Sequence, residues 1–254
     1  MDWQKRLDIF LADFEHHADV IGVLVCGSYI TGNPSNHSDL DVHIVLDESV
    51  DYRERGNKII DGLLIEYFAN PPRQILRYFD EDLVEKDLMC QVQFATGEII
   101  FDEKGVIAEL KEKAIRMIDE FYQKNSAPVL PELTKCFMWD MLDDLQDALE
   151  TGRADFDFLY FTSLDWLMKS YMGAVNRPYG RKAILGNIES EIVRGKYLLK
   201  ELPDETVAGL ISKAMRAVDK GEKLAVYQQL TEAVWARFGG FNIDGFSFGS
   251  AVEE

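Results

Sequence analysis

Val20-Ile21-Gly22-Val23-Leu24-Val25-Cys26-Gly27-Ser28 is followed, after ten intervening residues, by Asp39-Leu40-Asp41-Val42-His43-Ile44, and the reading of this pair of segments decides the fold of the first half of the chain. The first segment is a continuous apolar run, the pattern of a strand buried on both faces, and it ends in a glycine and a serine. In the second, strand alternation puts Asp39, Asp41 and His43 on one face and Leu40, Val42, Ile44 and Leu46 on the other. Two carboxylates held side by side repel unless a cation lies between them. Hard oxygen ligands with room for water and phosphate are what Mg²⁺ takes. Gly27 lets the backbone approach a phosphate closely, and the Ser28 hydroxyl with nearby N–H groups can bond its oxygens. The two segments together predict a phosphate cradle beside a metal site.

A third carboxylate comes from Lys58-Ile59-Ile60-Asp61-Gly62-Leu63-Leu64-Ile65-Glu66-Tyr67-Phe68. Asp-Gly between two apolar segments is a strong signal for a tight hairpin. A turn at Asp61-Gly62 puts Leu64, Glu66 and Phe68 on one face and Ile65 and Tyr67 on the other. Glu66 is the single charge in its strand. It lies either on a solvated face or opposite Asp39 and Asp41 on a neighbouring strand.

An apolar strand, Gly-Ser, roughly ten residues, Asp-apolar-Asp-apolar and a later acidic residue form a pattern that resembles the nucleotidyltransferases of the DNA polymerase β superfamily. The positions here are Gly27, Ser28, Asp39, Asp41 and Glu66. Gly97-Glu98-Ile99-Ile100-Phe101-Asp102-Glu103-Lys104-Gly105, a short strand and turn leading into a helix, is similar to the close of that family's catalytic domain. In size, and in having a helical second half, the chain further resembles the bacterial enzymes that adenylylate aminoglycoside or lincosamide antibiotics. The resemblance implies a nucleoside triphosphate co-substrate, ATP first, and Mg²⁺ on Asp39 and Asp41. It implies Glu66 as a third ligand or as a general base, and Ser28 with the Gly27 backbone on the triphosphate. It also implies a small-molecule acceptor and a role in antibiotic resistance.

The 254 residues include 27 Lys and Arg against 45 Asp and Glu, a net charge of −18. Binding a phosphate backbone by counterion release needs clustered Lys and Arg that this chain lacks, so no long nucleic acid is expected as a substrate. An acidic surface suits a small cationic acceptor, such as an amino sugar, or simply serves solubility. Cys26, Cys90 and Cys136 are scattered among apolar and aromatic residues without metal-ligand spacing, and read as buried thiols of a reducing compartment. The N-terminal residues are charged from the outset, and no apolar run approaches the ~20 residues of a membrane span. A cytoplasmic protein with no membrane partner is expected.

The fold expected is α+β: a nucleotidyltransferase domain over residues 1–124, with a small mixed sheet flanked by helices, then a C-terminal helical bundle over residues 132–254 that binds the acceptor and walls the other side of the cleft. Gln123 to Pro131 reads as the linker. Four or five helices are expected after it. The first has an apolar stripe of Leu133, Phe137, Met141, Leu145 and Leu149, and the second a stripe of Phe158, Phe161, Leu164, Met168 and Tyr171. Later helices are expected from Glu205 to Lys220, opened by Pro203-Asp204, and from Lys223 to Phe238. Asp140, Asp143, Asp144 and Asp147 form an acidic face on the first helix, either solvated or placed to meet an ammonium group of the acceptor. Asn176 to Lys182 concentrates base, with Lys182 as the candidate contact to nucleotide phosphates. Gly239 to Phe246 is a Gly- and aromatic-rich tail expected to pack as an ordered loop.

His16, His17, His37 and His43 all lie in the first domain, and His43 shares the acidic face of its strand, within reach of a carboxylate. No Walker-type loop is present, which argues against a P-loop ATPase. Two other classes fit the residues. One is a protein-modifying adenylyltransferase or antitoxin-like partner that docks through the acidic face. The other is an idle nucleotide-binding module, which three intact carboxylates disfavour.

Overall fold

A computed structural model of the chain describes residues 3–123, 128–179 and 184–250. By internal contacts the chain divides into two compact units: Met1–Lys124 with Lys196–Leu198, and Asn125–Gly195 with Leu199–Glu254.

The first unit runs α1 (Trp3–Ala12), a short 3₁₀ turn, β1 (Val20–Cys26), α2 (Ser28–Thr31), β2 (Leu40–Leu46), β3 (Glu54–Ile60), β4 (Leu63–Asn70), α3 (Pro72–Glu85), α4 (Met89–Thr96), β5 (Glu98–Asp102) and α5 (Val106–Gln123). Its mixed sheet has the order β3-β4-β2-β1-β5. Only the β2–β4 pairing is parallel. Leu7, Phe10 and Phe14 pack on one sheet face with Leu40, Val42, Ile44, Leu46 and Ile65. Ile75 and Phe79 of α3, Phe94 of α4, and Ile107 and Leu110 of α5 cover the other, against Leu24, Cys26 and Val45. β1 is therefore covered on both faces, which is why it reads as an unbroken apolar run. Asp61 (φ 46°) and Gly62 (φ 79°) are both left-handed, and Ile60 pairs Leu63 across them. That is the two-residue turn whose twist matches the flanking strands.

The second unit contains α6 (Glu132–Glu150), α7 (Phe156–Ala174), α8 (Ile184–Glu189), α9 (Glu191–Lys196), α10 (Glu205–Arg216) and α11 (Lys220–Arg237). Its core is built by Met138, Leu142, Leu145, Tyr160, Leu164, Leu167, Tyr171, Ile211, Tyr227 and Leu230, among others. The expected stripes are borne out at Leu145 on α6 and at Leu164, Met168 and Tyr171 on α7, all buried, and corrected at other positions. On α6 the buried seam is Met138, Leu142, Leu145 and Ala148, and Phe137 is 45% exposed. On α7, Phe158 is 71% exposed while Phe156 and Tyr160 are buried. On α6 the strict four-residue spacing advances 400° per step and drifts around the helix, and on α7 the two successive spacings of three before Leu164 drift the other way, so a straight seam must alternate three and four. α8 and α9 have no buried residues and so carried no periodic signal.

Asp204 caps α10 as expected. Asp219, which was not singled out, caps α11 by accepting from Gly221 N at 2.8 Å and Glu222 N at 3.1 Å, which starts that helix at Lys220. Asp219→Ala is expected to destabilise this unit by about 1 kcal/mol, read from denaturant or thermal unfolding. The tail packs as an ordered loop. Phe241 meets Trp235 and Phe246, and the buried Lys135 ammonium donates to Phe238 O at 2.7 Å and Gly240 O at 3.0 Å. Of the cysteines only Cys26 is fully buried; Cys90 and Cys136 are half-buried, and all three are free thiols. No helix among the described residues is long and apolar enough to cross a membrane.

Candidate active site

Cys26, Asp41, Glu66 and Asn57 form one transverse row across β1, β2, β4 and β3. Asp39 sits just before β2. Asp39, Asp41 and Glu66 each offer a carboxylate oxygen, all within 4.8 Å of one another, and all three residues are half-buried. The parallel β2–β4 pairing sets Asp41 directly opposite Glu66. Beside them burial first, and then the charge of Asp41, pushes the Cys26 thiol well up, so it stays neutral.

Gly27 stands at φ 76°, ψ −156°, a region open in practice to glycine alone. A Cβ there would lie 2.1 Å from Asp41 Oδ2. The glycine is thus needed for the close approach of backbone to carboxylate, beyond any approach to a phosphate. Its carbonyl accepts from Ile30 N, Thr31 N and Thr31 Oγ1, which turns the chain at once into α2 and fixes Ser28 next to the row.

Glu66 accepts from Arg55 Nη2 at 2.6 Å, and the same guanidinium lies 4.7 Å over the Phe68 ring. Arg55 was missed in the sequence, although the signal was there. A hairpin closing at Asp61-Gly62 pairs Asn57 with Glu66 and Arg55 with Phe68, on the face the carboxylates share. Among the described residues His43 bonds no carboxylate: its Nε2 meets Gln93 Oε1 at 3.2 Å, and its ring lies between Phe68 and Phe94. Burial pushes its pKa down to about 4, against the opposing pull of the Gln93 bond. The imidazole is therefore neutral near pH 7 and part of the aromatic floor. Lys182 lies outside the described residues. Asp140, Asp143, Asp144 and Asp147 are exposed on α6.

The donor set fits a divalent cation. All donors are carboxylate oxygens, and Mg²⁺–oxygen bonds of about 2.1 Å allow two ligands of one ion to lie at most about 4.2 Å apart. A spread within 4.8 Å is one small side-chain rotation from that, or the span of a two-ion site. Arg55 is the counter-ion a metal would replace on Glu66. Its side chain is 68% exposed, so the pair is weak. Arg55→Gln is expected to tighten Mn²⁺ binding about two- to fivefold in a paramagnetic titration, whereas weaker binding would mean that Arg55 helps to shape the metal site.

Residues 7–119 match the family model for the nucleotidyltransferase domain, a span that contains all three carboxylates and Gly27-Ser28. No curated protein matches the chain. Among solved structures the chain is similar to a nucleotidyltransferase-like protein from Exiguobacterium sibiricum, at 10% identity and a TM-score of 0.45, covering 94% of this chain and 77% of that one.

Proposed function

We propose that the protein moves a nucleoside monophosphate, AMP from ATP first, to a hydroxyl of a small acceptor. The observation that carries this reading is the convergence of Asp39, Asp41 and Glu66 on one sheet face, inside a segment that matches the nucleotidyltransferase domain. Mg²⁺ on these carboxylates would lower the pKa of the acceptor hydroxyl and neutralise the charge of the triphosphate and departing pyrophosphate. Asp39 and Asp41 would hold the metal as its principal protein ligands. Ser28 and the Gly27 backbone hold the triphosphate in position, which itself supplies much of the rate. The acceptor oxygen bonds the α-phosphorus as the bond to the bridging oxygen breaks, and pyrophosphate leaves with that electron pair. The hydroxyl proton passes to Glu66, if that carboxylate is the base, or to water, if it is a third ligand. These roles separate experimentally: if Glu66 is a ligand, Glu66→Gln weakens Mn²⁺ binding, and if it is the base, Glu66→Gln lowers kcat with Mn²⁺ affinity little changed.

The net charge of −18 supports a small acceptor over long nucleic acid. Amino sugars of the aminoglycoside kind form one class to screen, because that charge raises the local concentration of cations. Calorimetric titration with a non-hydrolysable ATP analogue should show binding that requires Mg²⁺, followed by pyrophosphate release when a competent hydroxyl compound is added. Nucleotide binding indifferent to Mg²⁺, with no acceptor of any class releasing pyrophosphate, would leave an idle nucleotide-binding module in its place.

A further inference from the structure

Beside the carboxylates the first unit holds a cavity of about 500 Å³, within the size range of small-molecule sites. Its floor continues the sheet face of the site. His43 and Phe68 come two residues after Asp41 and Glu66 on their parallel strands, and are therefore about 7 Å further along. His43 and Asn70 in this floor are each only 5% exposed. α3 supplies one wall with Tyr78, and α4 another with Met89 and Cys90.

The direction of the reaction places a substrate there. Gly27 and Ser28 follow β1, on one side of Asp41; Glu66 on β4 lies on the other. Transfer at phosphorus needs the attacking and leaving oxygens roughly in line. With pyrophosphate on the Ser28 side, the attacking hydroxyl comes from the Glu66 side, where the cavity lies.

The charge of the cavity differs from that of the whole chain. Arg53 and Arg55 both line it. Arg53 lies 5.9 Å over the Tyr78 ring and donates to the Tyr78 hydroxyl. It pairs with no carboxylate among the described residues, in a chain with 45 acidic residues against 27 basic. Arg55 has Glu66, which a metal would claim. The two acids of the lining bond neutral donors and leave both guanidinium groups to the cavity: Asp82 accepts from Cys90 N at 2.7 Å, and Glu54 accepts from the Tyr67 hydroxyl. Two guanidinium forks resting on aromatic rings suit a compact anion.

We infer that this cavity, within the first unit, is the acceptor site, and that the acceptor carries a carboxylate or phosphate group besides the hydroxyl that reacts. The inference rests on the nucleotidyl-transfer reading and names the substrate class of the same site. A matched set of hexoses tests it: glucose, glucosamine, glucuronate and glucose 6-phosphate, titrated into the full chain with Mg²⁺ and a non-hydrolysable ATP analogue. Glucuronate or glucose 6-phosphate is expected to bind at least about tenfold more tightly than glucose and glucosamine, and the tighter of the two tells carboxylate from phosphate. Arg53→Gln should remove that preference while changing the affinity for the nucleotide analogue by less than twofold. Met89→Trp, at a position 39% exposed, should obstruct all four sugars and leave nucleotide binding intact. Anionic sugars that bind no better than glucosamine and glucose overturn the assignment. So does a loss of nucleotide affinity in Arg53→Gln or Met89→Trp, because the cavity then belongs to the nucleotide. Failure of the unmodified chain to bind the analogue with Mg²⁺ strikes the nucleotidyl-transfer reading itself and takes this inference with it.

Discussion

Asp39→Asn and Asp41→Asn are each expected to lower nucleotidyl transfer by at least about a hundredfold, the scale of losing one preorganised electrostatic contact to the transferring group. The amide keeps the shape and nearly the volume of the carboxylate, so packing around β2 is preserved. What changes is charge. With Asp39, Asp41 and Glu66 offering oxygens within 4.8 Å of one another, like charges oppose one another whenever no cation is bound, and neutralising one relieves part of that repulsion. The metal-free variants should therefore melt at the parent temperature or slightly above it, and bind Mn²⁺ more weakly. Three measurements on one preparation decide the matter: pyrophosphate release, metal titration and a circular-dichroism melt. More than about a tenth of the parent rate in either variant would remove the metal role from that residue, and a lowered melting temperature would turn the loss of activity into one of folding.

The carboxylate row could be read in advance because strand geometry has a period of exact alternation, and two short segments contained all of it. Once Asp39-Leu40-Asp41 is a strand and Asp61-Gly62 a two-residue turn, the faces of Glu66, Arg55 and Phe68 follow. What alternation cannot give is which strands become neighbours. The placement of β4 beside β2, which sets Glu66 opposite Asp41, came from the family resemblance. The helical unit was harder to read. Helical seams mix spacings of three and four, so several apolar residues at a constant spacing of four, such as Phe137 and Met141, look like a stripe although Phe137 faces solvent. The cavity was invisible because its wall and floor, Tyr78 on α3, Cys90 on α4 and Asn70 on β4, are brought together only by packing.

Gly27→Ala and Gly62→Ala are expected to part company in activity although both force an alanine to a positive φ, 76° and 79° respectively. At Gly62 the turn is open and a Cβ meets nothing within 4 Å, so only the left-handed backbone is strained, at about 1 kcal/mol, and transfer should remain near the parent rate. At Gly27 the combination with ψ −156° excludes side chains more strongly, at about 1–3 kcal/mol. The new methyl group would also stand 2.1 Å from Asp41 Oδ2, well inside contact distance, so the carboxylate must move by an ångström or more. A displacement of that size in a positioned reacting group costs about a hundredfold. Gly27→Ala should thus approach Asp41→Asn in its loss of rate, with all three carboxylates chemically intact, and the double variant Gly27→Ala with Asp41→Asn should be little worse than either single one, because both changes act on the same carboxylate. If the losses multiply instead, Gly27 acts independently of Asp41, and its requirement for glycine does not come from the carboxylate beside it.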